Sequence, residues 1–471
     1  MGLADIADGI SRQVEAVGGG VHEALFEPVV RLGVTGLSRA GKTVFITSLV
    51  ANLMNRGRMP GFMPAADGRI LSAFLQPQPN MTVPRFDYET HLAAMTGPTP
   101  RWPDSTRAVS ELRLSFRTRP GGLLSGLRSP RTVHLDIVDY PGEWLLDLEL
   151  LDQSYADWSR DVLARITPRV MAGEFLSLAD HADGEAEHDE AVARALAEAF
   201  TTYLHAARGA GYSDCTPGRF LLPGEMEGSP ALTFAPLPKP ANTPRASLWR
   251  EMERRFEAYK SRVVKPFFRA YFARIDRQIV LIDVLDAINS GPAALEDLRR
   301  SMAQILSAFR PGRNDFLSQL FGGKRVEKLL FAATKADHLH HTQHAQLTAI
   351  VEAMVREARD RADFAGAETA AMAVAALRAT TEDQVSHDGR QLDCVRGRLA
   401  KTGKSAALYP GRLPDDPMRL LGPARDGAER WLDADYRLMQ FAPAEISLKP
   451  GDGPPHIRLD RAADFLIGDK L

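Results

Sequence analysis

The chain has 471 residues, 44% hydrophobic and 25% charged, with a formal net charge of −2 and two cysteines. That length supports a large core, with roughly two to four domains or one domain carrying big insertions, and it excludes a small disulfide-stapled scaffold. The charge balance excludes a bulk pull toward nucleic acid or anionic lipid, and Cys215 and Cys394, far apart and in no CxxC spacing, point to free thiols in a reducing cytosol.

Residues 1–30 read as an N-terminal amphipathic helix. Asp5 and Asp8, and the lack of a continuous apolar core, argue against a secretion signal. No later stretch approaches the roughly 18 uncharged apolar residues of a membrane span. A soluble, cytoplasmic protein is expected, with peripheral membrane contact left open. A strand follows at about 29–35, and "KTVFITSLVANLMN" then puts Val44, Leu49 and Leu53 at helical spacing. "NRGRMPGFMPAADG" and "QPQPNMTVPRFDYE" are too rich in proline and glycine for a long element, with a short helix at about 88–95. "AVSELRLSF" and "TVHLDIVDYPG" alternate as a strand pair joined by the long hairpin loop "RTRPGGLLSGLRSPR". From about 145 to 277 the pattern is helical. Its best helix, "RASLWREMERRFEAYKSRVVKPFFRAYFARIDR", aligns Leu248, Met252, Phe256, Tyr259 and Val263 on one stripe. Two buried strands, "QIVLIDVLD" and "VEKLLFAATKAD", flank the helix "AALEDLRRSMAQILSAF", and "ETAAMAVAAL" closes the apolar runs. Short strands and turns are expected over 391–471.

"GLSRAGKT", Gly36 to Thr43, lies between the first strand and its helix and has the P-loop spacing G-x-x-x-x-G-K-[ST]. Glycines there let backbone N–H groups converge on phosphate, and the helix N-terminus adds partial positive charge. Gly36, Ser38, Arg39, Ala40, Gly41, Lys42, Thr43 and Val44 are therefore expected around the phosphates, with Lys42 bridging the β and γ groups and Thr43 on Mg²⁺. A second "KTGKS" has Arg398 where the first glycine belongs and no apolar helix after it, so it reads as a hairpin turn.

"TKAD" ends a strand and matches [NT]KxD, in which the Asp337 carboxylate accepts hydrogen bonds from guanine that adenine lacks, Lys335 covers the base and Thr334 opens the motif. Asp139 and Gly142 of "DYPG" match DxxG: Asp139 serves the metal through water, and the Gly142 N–H senses the γ-phosphate. "RWPDSTRAVSELRL" offers Thr106, with Ser105 as the alternative, to complete the metal shell. "AALRAT", with Ala375 where the base-contacting SAK element has serine, adds Ala376 and Leu377 as base contacts.

This layout resembles Ras-like GTPases. The combination "GLSRAGKT", "RWPDSTRAVSELRL", "DIVDYPGEWLLDL", "LIDVLDAINSGP", "LLFAATKADHL" and "FLIGDKL" is similar to the YcjX-like family of bacterial GTP-binding stress proteins, from the P-loop to the C-terminus. The resemblance implies a Ras-like core with a helical domain inserted after DxxG; together with the sequence pattern this reads as an α/β P-loop NTPase with the core at 31–150 and 278–390, a helical insertion at 151–277 and a small C-terminal extension at 391–471 packing on the core. It further implies GTP and GDP binding with Mg²⁺, a place in stress responses, and a gene neighbourhood that often includes a membrane protein, without naming an effector.

Two departures matter for rate. Glu143 stands where Ras-like enzymes place a water-positioning glutamine, and a carboxylate beside the γ-phosphate is unfavourable unless protonated or paired with a cation, so hydrolysis is expected to be slow. Arg39, inside the P-loop, is a candidate built-in cation for catalysis; the competing reading has it in solvent or paired with Glu143 or another acid. Lys42, Thr106, Gly142, Glu143 and Arg39 are thus the candidate catalytic set. "DHLHHTQH" offers His340 and His344 at the i, i+4 spacing of a metal pair, but without a third ligand it reads as a solvated helix start. The arginine-rich helix at 245–277 reads as a wet face, with docking on acidic lipid or protein as the alternative. A GTP-dependent switch leads, against a non-cycling nucleotide-stabilised scaffold and an ATPase, with no nucleic-acid partner expected.

Overall fold

The structure, a computed structural model, describes residues 27–37, 39–104, 108–119, 129–307, 326–364, 366–431 and 436–471. Most of the expected N-terminal helix, Ser38, Ser105 and Thr106 lie outside the described residues.

A seven-stranded sheet organises the chain in the order β2-β3-β4-β1-β5-β6-β7. Its strands are β1 (Val29–Gly36), β2 (Ile70–Gln76), β3 (Ser110–Thr118), β4 (Arg131–Asp139), β5 (Arg277–Ile282), β6 (Lys328–Ala333) and β7 (Glu368–Ala373). β1 pairs in parallel with β4 and β5, and β5-β6-β7 continue in parallel, while β2-β3-β4 is antiparallel. β5 is buried along its whole length, as a strand covered on both faces must be. Successive residues serve opposite faces: Ile279 and Leu281 join one apolar cluster, Val280 and Ile282 the other. The edge strand β2 escaped the sequence reading because its middle is only half-buried and its alternation is weak.

One face of the sheet is covered by α1 (Lys42–Met54), the helix after the P-loop, and by a helix near the C-terminus, Leu459–Ile467, whose apolar residues sit in the same cluster as Val34 and Leu330. That second helix corrects the expectation of only short strands and turns over 391–471. The other face meets Pro292–Ser307, His344–Phe364 and the helices between β4 and β5. A separate antiparallel sheet, Thr380–His387, Arg390–Arg398 and Ser405–Leu408, follows β7. "KTGKS" forms the turn between its last two strands, with Gly403 at φ 68°, a backbone conformation glycine adopts freely.

Between β4 and β5 the named elements are helices. α2 (Glu143–Leu146) leads, followed by α3 (Tyr155–Ile166), α4 (Glu190–Gly209) and α5 (Leu248–Tyr259). Ser154, Asp189 and Ser247 cap the last three by accepting backbone N–H groups of the first turn. Trp158 stacks on Phe256 at 5.0 Å between ring centroids and meets Phe234 at 5.6 Å, giving this segment an aromatic centre. The single long helix read over 245–277 is broken: after Tyr259 comes a π turn, Lys260–Val264, then the short helix Lys265–Ala270. Pro266 lacks the N–H that an unbroken α-helix would use. Part of its basic face is also turned inward. Arg255 and Lys260 are buried, Arg255 paired with Glu190 and Glu251, and Lys260 with Glu257 at 2.9 Å.

Candidate functional site

The loops at the C-terminal ends of β1, β4, β6 and β7 converge on a cavity of about 440 Å³, the end of a parallel sheet where ligands bind. Arg39, Ala40, Gly41, Lys42, Thr43 and Val44 line one wall; Thr334, Lys335 and Asp337, with Ala376 and Leu377, line the opposite one. The structure therefore brings both motifs to one space. Gly36, Asp139 and Gly142 are not among the lining residues, whereas Glu143, next to Gly142, is.

Gly41, at φ 84°, turns the chain into α1, and no side chain caps that helix and no acid occupies its first turn. Its N-terminal dipole thus has no acid of its own first turn against it. Lys42 folds back, its Nζ donating to the Gly36 carbonyl at 3.0 Å. Arg39 sits in the left-handed region at φ 64°, a conformation costing a non-glycine residue about 1–2 kcal/mol.

The DxxG segment lies directly against the P-loop. A Cβ on Gly142 would come within 2.3 Å of the Gly36 carbonyl oxygen, so only glycine fits. The next residue, Glu143, is 4% exposed, and its carboxylate pairs with Arg208 of α4 at 3.1 Å. Apart from that ion pair neither Glu143 oxygen has a hydrogen-bond partner among the described residues. Glu143's cation is thus Arg208 and not Arg39, which corrects the alternative that paired the two. Arg208 lines the same cavity, although no motif marked it in the sequence.

The helical segment is keyed to this point twice more. A Cβ on Gly218 would stand 2.3 Å from the Glu143 carbonyl oxygen. Asp147, just after α2, accepts the Gly218 N–H at 2.8 Å and the Tyr259 hydroxyl at 2.5 Å. Burial pushes the Asp147 carboxyl up to about 7, against the opposing pull of those donors.

At the far wall Lys335 takes the left-handed conformation, φ 58°, and forms an ion pair with Asp283, which also caps the helix Val284–Ser290. Burial works against the Lys335 ammonium, but the neighbouring Asp283 charge outweighs it and holds the lysine above its ordinary range. One Asp337 oxygen accepts the Ala379 N–H at 2.8 Å, and the Thr380 hydroxyl bonds to the Asp337 carbonyl. Trp102 and Phe441 complete the rim, joined by a 2.7 Å bond from the Trp102 indole N–H to the Phe441 carbonyl. Some 339 residues separate them, so no sequence pattern could have paired them.

The histidines do not form the solvated helix start expected of them, nor the i, i+4 metal pair weighed against it. His338, His340 and His344 are buried, and His344 Nε2 lies 2.8 Å from the Ala336 carbonyl oxygen. His340, His341 and Glu382 do bring ligand atoms within 4.8 Å of one another. His341 is exposed and already bonded to Glu382 at 2.9 Å, the arrangement of a surface ion pair.

Among the described residues no helix is long and apolar enough to cross a membrane. Over 457 residues the chain is 38% identical to "Ras-like GTPase YcjX" of Escherichia coli (strain K12), covering 94% of this chain and 96% of the relative. It is 36% identical over 469 residues to the protein of the same name from Shewanella oneidensis, with 94% of each covered. The parallel-dominated sheet built around the P-loop and the two relatives agree on a Ras-like α/β fold. The pattern of the YcjX-like family, DUF463, matches residues 30–471, and the chain belongs to that family.

Proposed function

We propose that the protein is a GTP-binding switch with slow GTP hydrolysis, in which the helices of 151–277 respond to the γ-phosphate. The observation that carries this reading is one continuous cavity, with an uncapped P-loop helix on one wall and a fixed Asp337 carboxylate on the other. Its volume lies within the ordinary range of small-molecule sites. In this reading Lys42 holds the β and γ phosphates, Lys335 covers the base, Asp337 selects guanine, and Thr334, Ala376 and Leu377 shape the base end. Domain bounds of 31–150 and 278–390 for the core and 391–471 for the extension belong to the same proposal, as does a role in stress responses through an unidentified effector.

Mg²⁺ fits the donors present. Thr43, 7% exposed at the start of α1, and Asp139, 1% exposed at the end of β4, offer only hard oxygen ligands, and β4 runs beside β1 with Asp139 in register with Val34. These two residues would hold the ion, with Thr106 proposed as the third; bound there, Mg²⁺ would neutralise phosphate charge. Gly142, pressed on Gly36, transmits a shift of the P-loop to Glu143 and hence to the helices.

The test is the binding of GDP and ADP to the purified protein with Mg²⁺, beside Asp337→Asn. Guanine preference that moves toward xanthine nucleotides in the variant supports the assignment; equal affinity for ADP overturns it. A second reading, a scaffold that holds nucleotide without cycling, is favoured by one observation: Glu143 is locked in a buried ion pair where a mobile, water-positioning side chain belongs. Steady GTP turnover that Lys42→Ala abolishes would rule it out.

A further inference from the structure

We infer that Arg208, carried by the helical segment, is the catalytic arginine of GTP hydrolysis, and that Glu143 holds it in reserve until a triphosphate arrives. The inference rests on the GTP-switch reading above and adds to it the residue that supplies the missing charge.

Phosphoryl transfer needs positive charge opposite the oxygens of the γ group and the β–γ bridge, and an arginine placed there raises hydrolysis about 10³- to 10⁵-fold in enzymes that use one. Lys42 provides one cation. Arg39 belongs to the P-loop turn itself. Between Asp147 and Asp276, Arg208 is the single described residue that lines the cavity, so it is the point where the helices reach the nucleotide space. It lies in the last turn of α4, the helix end at which a cation is favoured.

Its present partner explains why it waits there. A carboxylate that is 4% exposed is tolerated only with a compensating charge, and Arg208 at 3.1 Å is that charge for Glu143. A γ-phosphate carries more negative charge than one carboxylate, and its oxygens match the planar fork of a guanidinium. A smaller cavity of about 60 Å³ shares Arg39, Glu143 and Arg208 with the main one and gives the side chain room to swing. Once Arg208 turns to the phosphate, Glu143 is left buried without its cation and is repelled. The strain falls on the Glu143 backbone that Gly218 touches, and so on the helical segment. In the chemical step the water oxygen bonds to the γ-phosphorus, the bond to the β–γ bridging oxygen breaks, GDP leaves with that electron pair, and the water proton ends on the released phosphate. Arg208 stabilises the charge gathering on the bridging and γ oxygens. Release of phosphate returns it to Glu143, so one side chain serves both hydrolysis and signalling.

The experiment compares wild type, Arg208→Ala and Arg208→Gln in full-length protein, measuring single-turnover GTP hydrolysis, GDP affinity, the thermal midpoint and formation of a GDP–aluminium fluoride complex. Expected is a loss of about 10³-fold in the hydrolysis rate for both variants, with GDP affinity within about twofold of wild type and no aluminium fluoride complex. A merely structural Arg208 would lower the thermal midpoint while leaving that complex intact, and this result overturns the inference. Hydrolysis by Arg208→Gln within twofold of wild type overturns it equally, and that variant decides the matter where Arg208→Ala fails to fold. Wild type that binds GDP yet turns over no GTP overturns the switch reading and this inference together, which separates the two failures.

Discussion

At the TKAD end of the cavity Asp337 is gripped by the Ala379 N–H and the Thr380 hydroxyl, whereas at the P-loop end Glu143 and Arg208 meet only as side chains. The first arrangement is tied to neighbouring backbone: β6 ends in the motif, and the Val374 N–H bonds back to the Ala333 carbonyl at 2.8 Å. The second joins elements from different parts of the chain through the Glu143–Arg208 ion pair, the close approaches of Gly142 and Gly218, and the Asp147 bonds to Gly218 and Tyr259. Backbone hydrogen bonds allow little change without loss of the fold, while an ion pair between two side chains can re-form with another partner, at the cost of leaving a buried carboxylate without its cation. In the proposed switch, one end would serve recognition and the other the response.

The largest test of this contrast is Lys42→Ala, expected to lower GTP turnover about 10²-fold or more in a phosphate-release assay, since it removes a preorganised donor from the developing charge. An effect below about threefold would mean that the P-loop end does not carry the chemistry. Next come the glycine contacts. Gly142→Ala and Gly218→Ala each drive a Cβ to 2.3 Å from a backbone oxygen, and each should destabilise the fold by about 1–3 kcal/mol in urea denaturation. Gly41→Ala is the control: a Cβ there meets nothing within 4 Å, so only its left-handed conformation is penalised, by about 1–2 kcal/mol. A Gly218→Ala protein as stable as wild type would show that the helices do not press on Glu143.

The last expected effect is a pH slope. Asp147 holds its proton more tightly in the folded chain, about 7 against an ordinary 3.8. Its contribution to stability is therefore complete below about pH 4 and is lost as pH rises through about 7. Unfolding free energies measured from pH 4 to 8 should fall with a slope of at most about 1.4 kcal/mol per unit from this group, and Asp147→Asn should flatten that part. An unchanged profile in the variant would place the titration elsewhere.

What could be read from the sequence alone was whatever lay in short, contiguous spacing. The P-loop, DxxG and TKAD each span eight residues or fewer, and each lies at a strand end that apolar alternation had already located. Local backbone geometry determines such elements, which is why Gly41 and Lys335 take left-handed conformations inside the motifs that name them. The same locality failed for the histidines: i, i+4 spacing suggested a helix, but the helix begins only at His344, and His340 lies before it. It failed also for the C-terminal helix Leu459–Ile467, whose apolar face is meaningful only when the β1–β5–β6 surface is present to receive it. Tertiary structure decided the rest: that Arg208 rather than Arg39 answers Glu143, that Gly218 rests on the DxxG segment, and that Trp102 meets Phe441. Each of these depends on where distant stretches of chain come to lie, because a charge or a close contact acts over a few ångströms of space however many residues separate the partners.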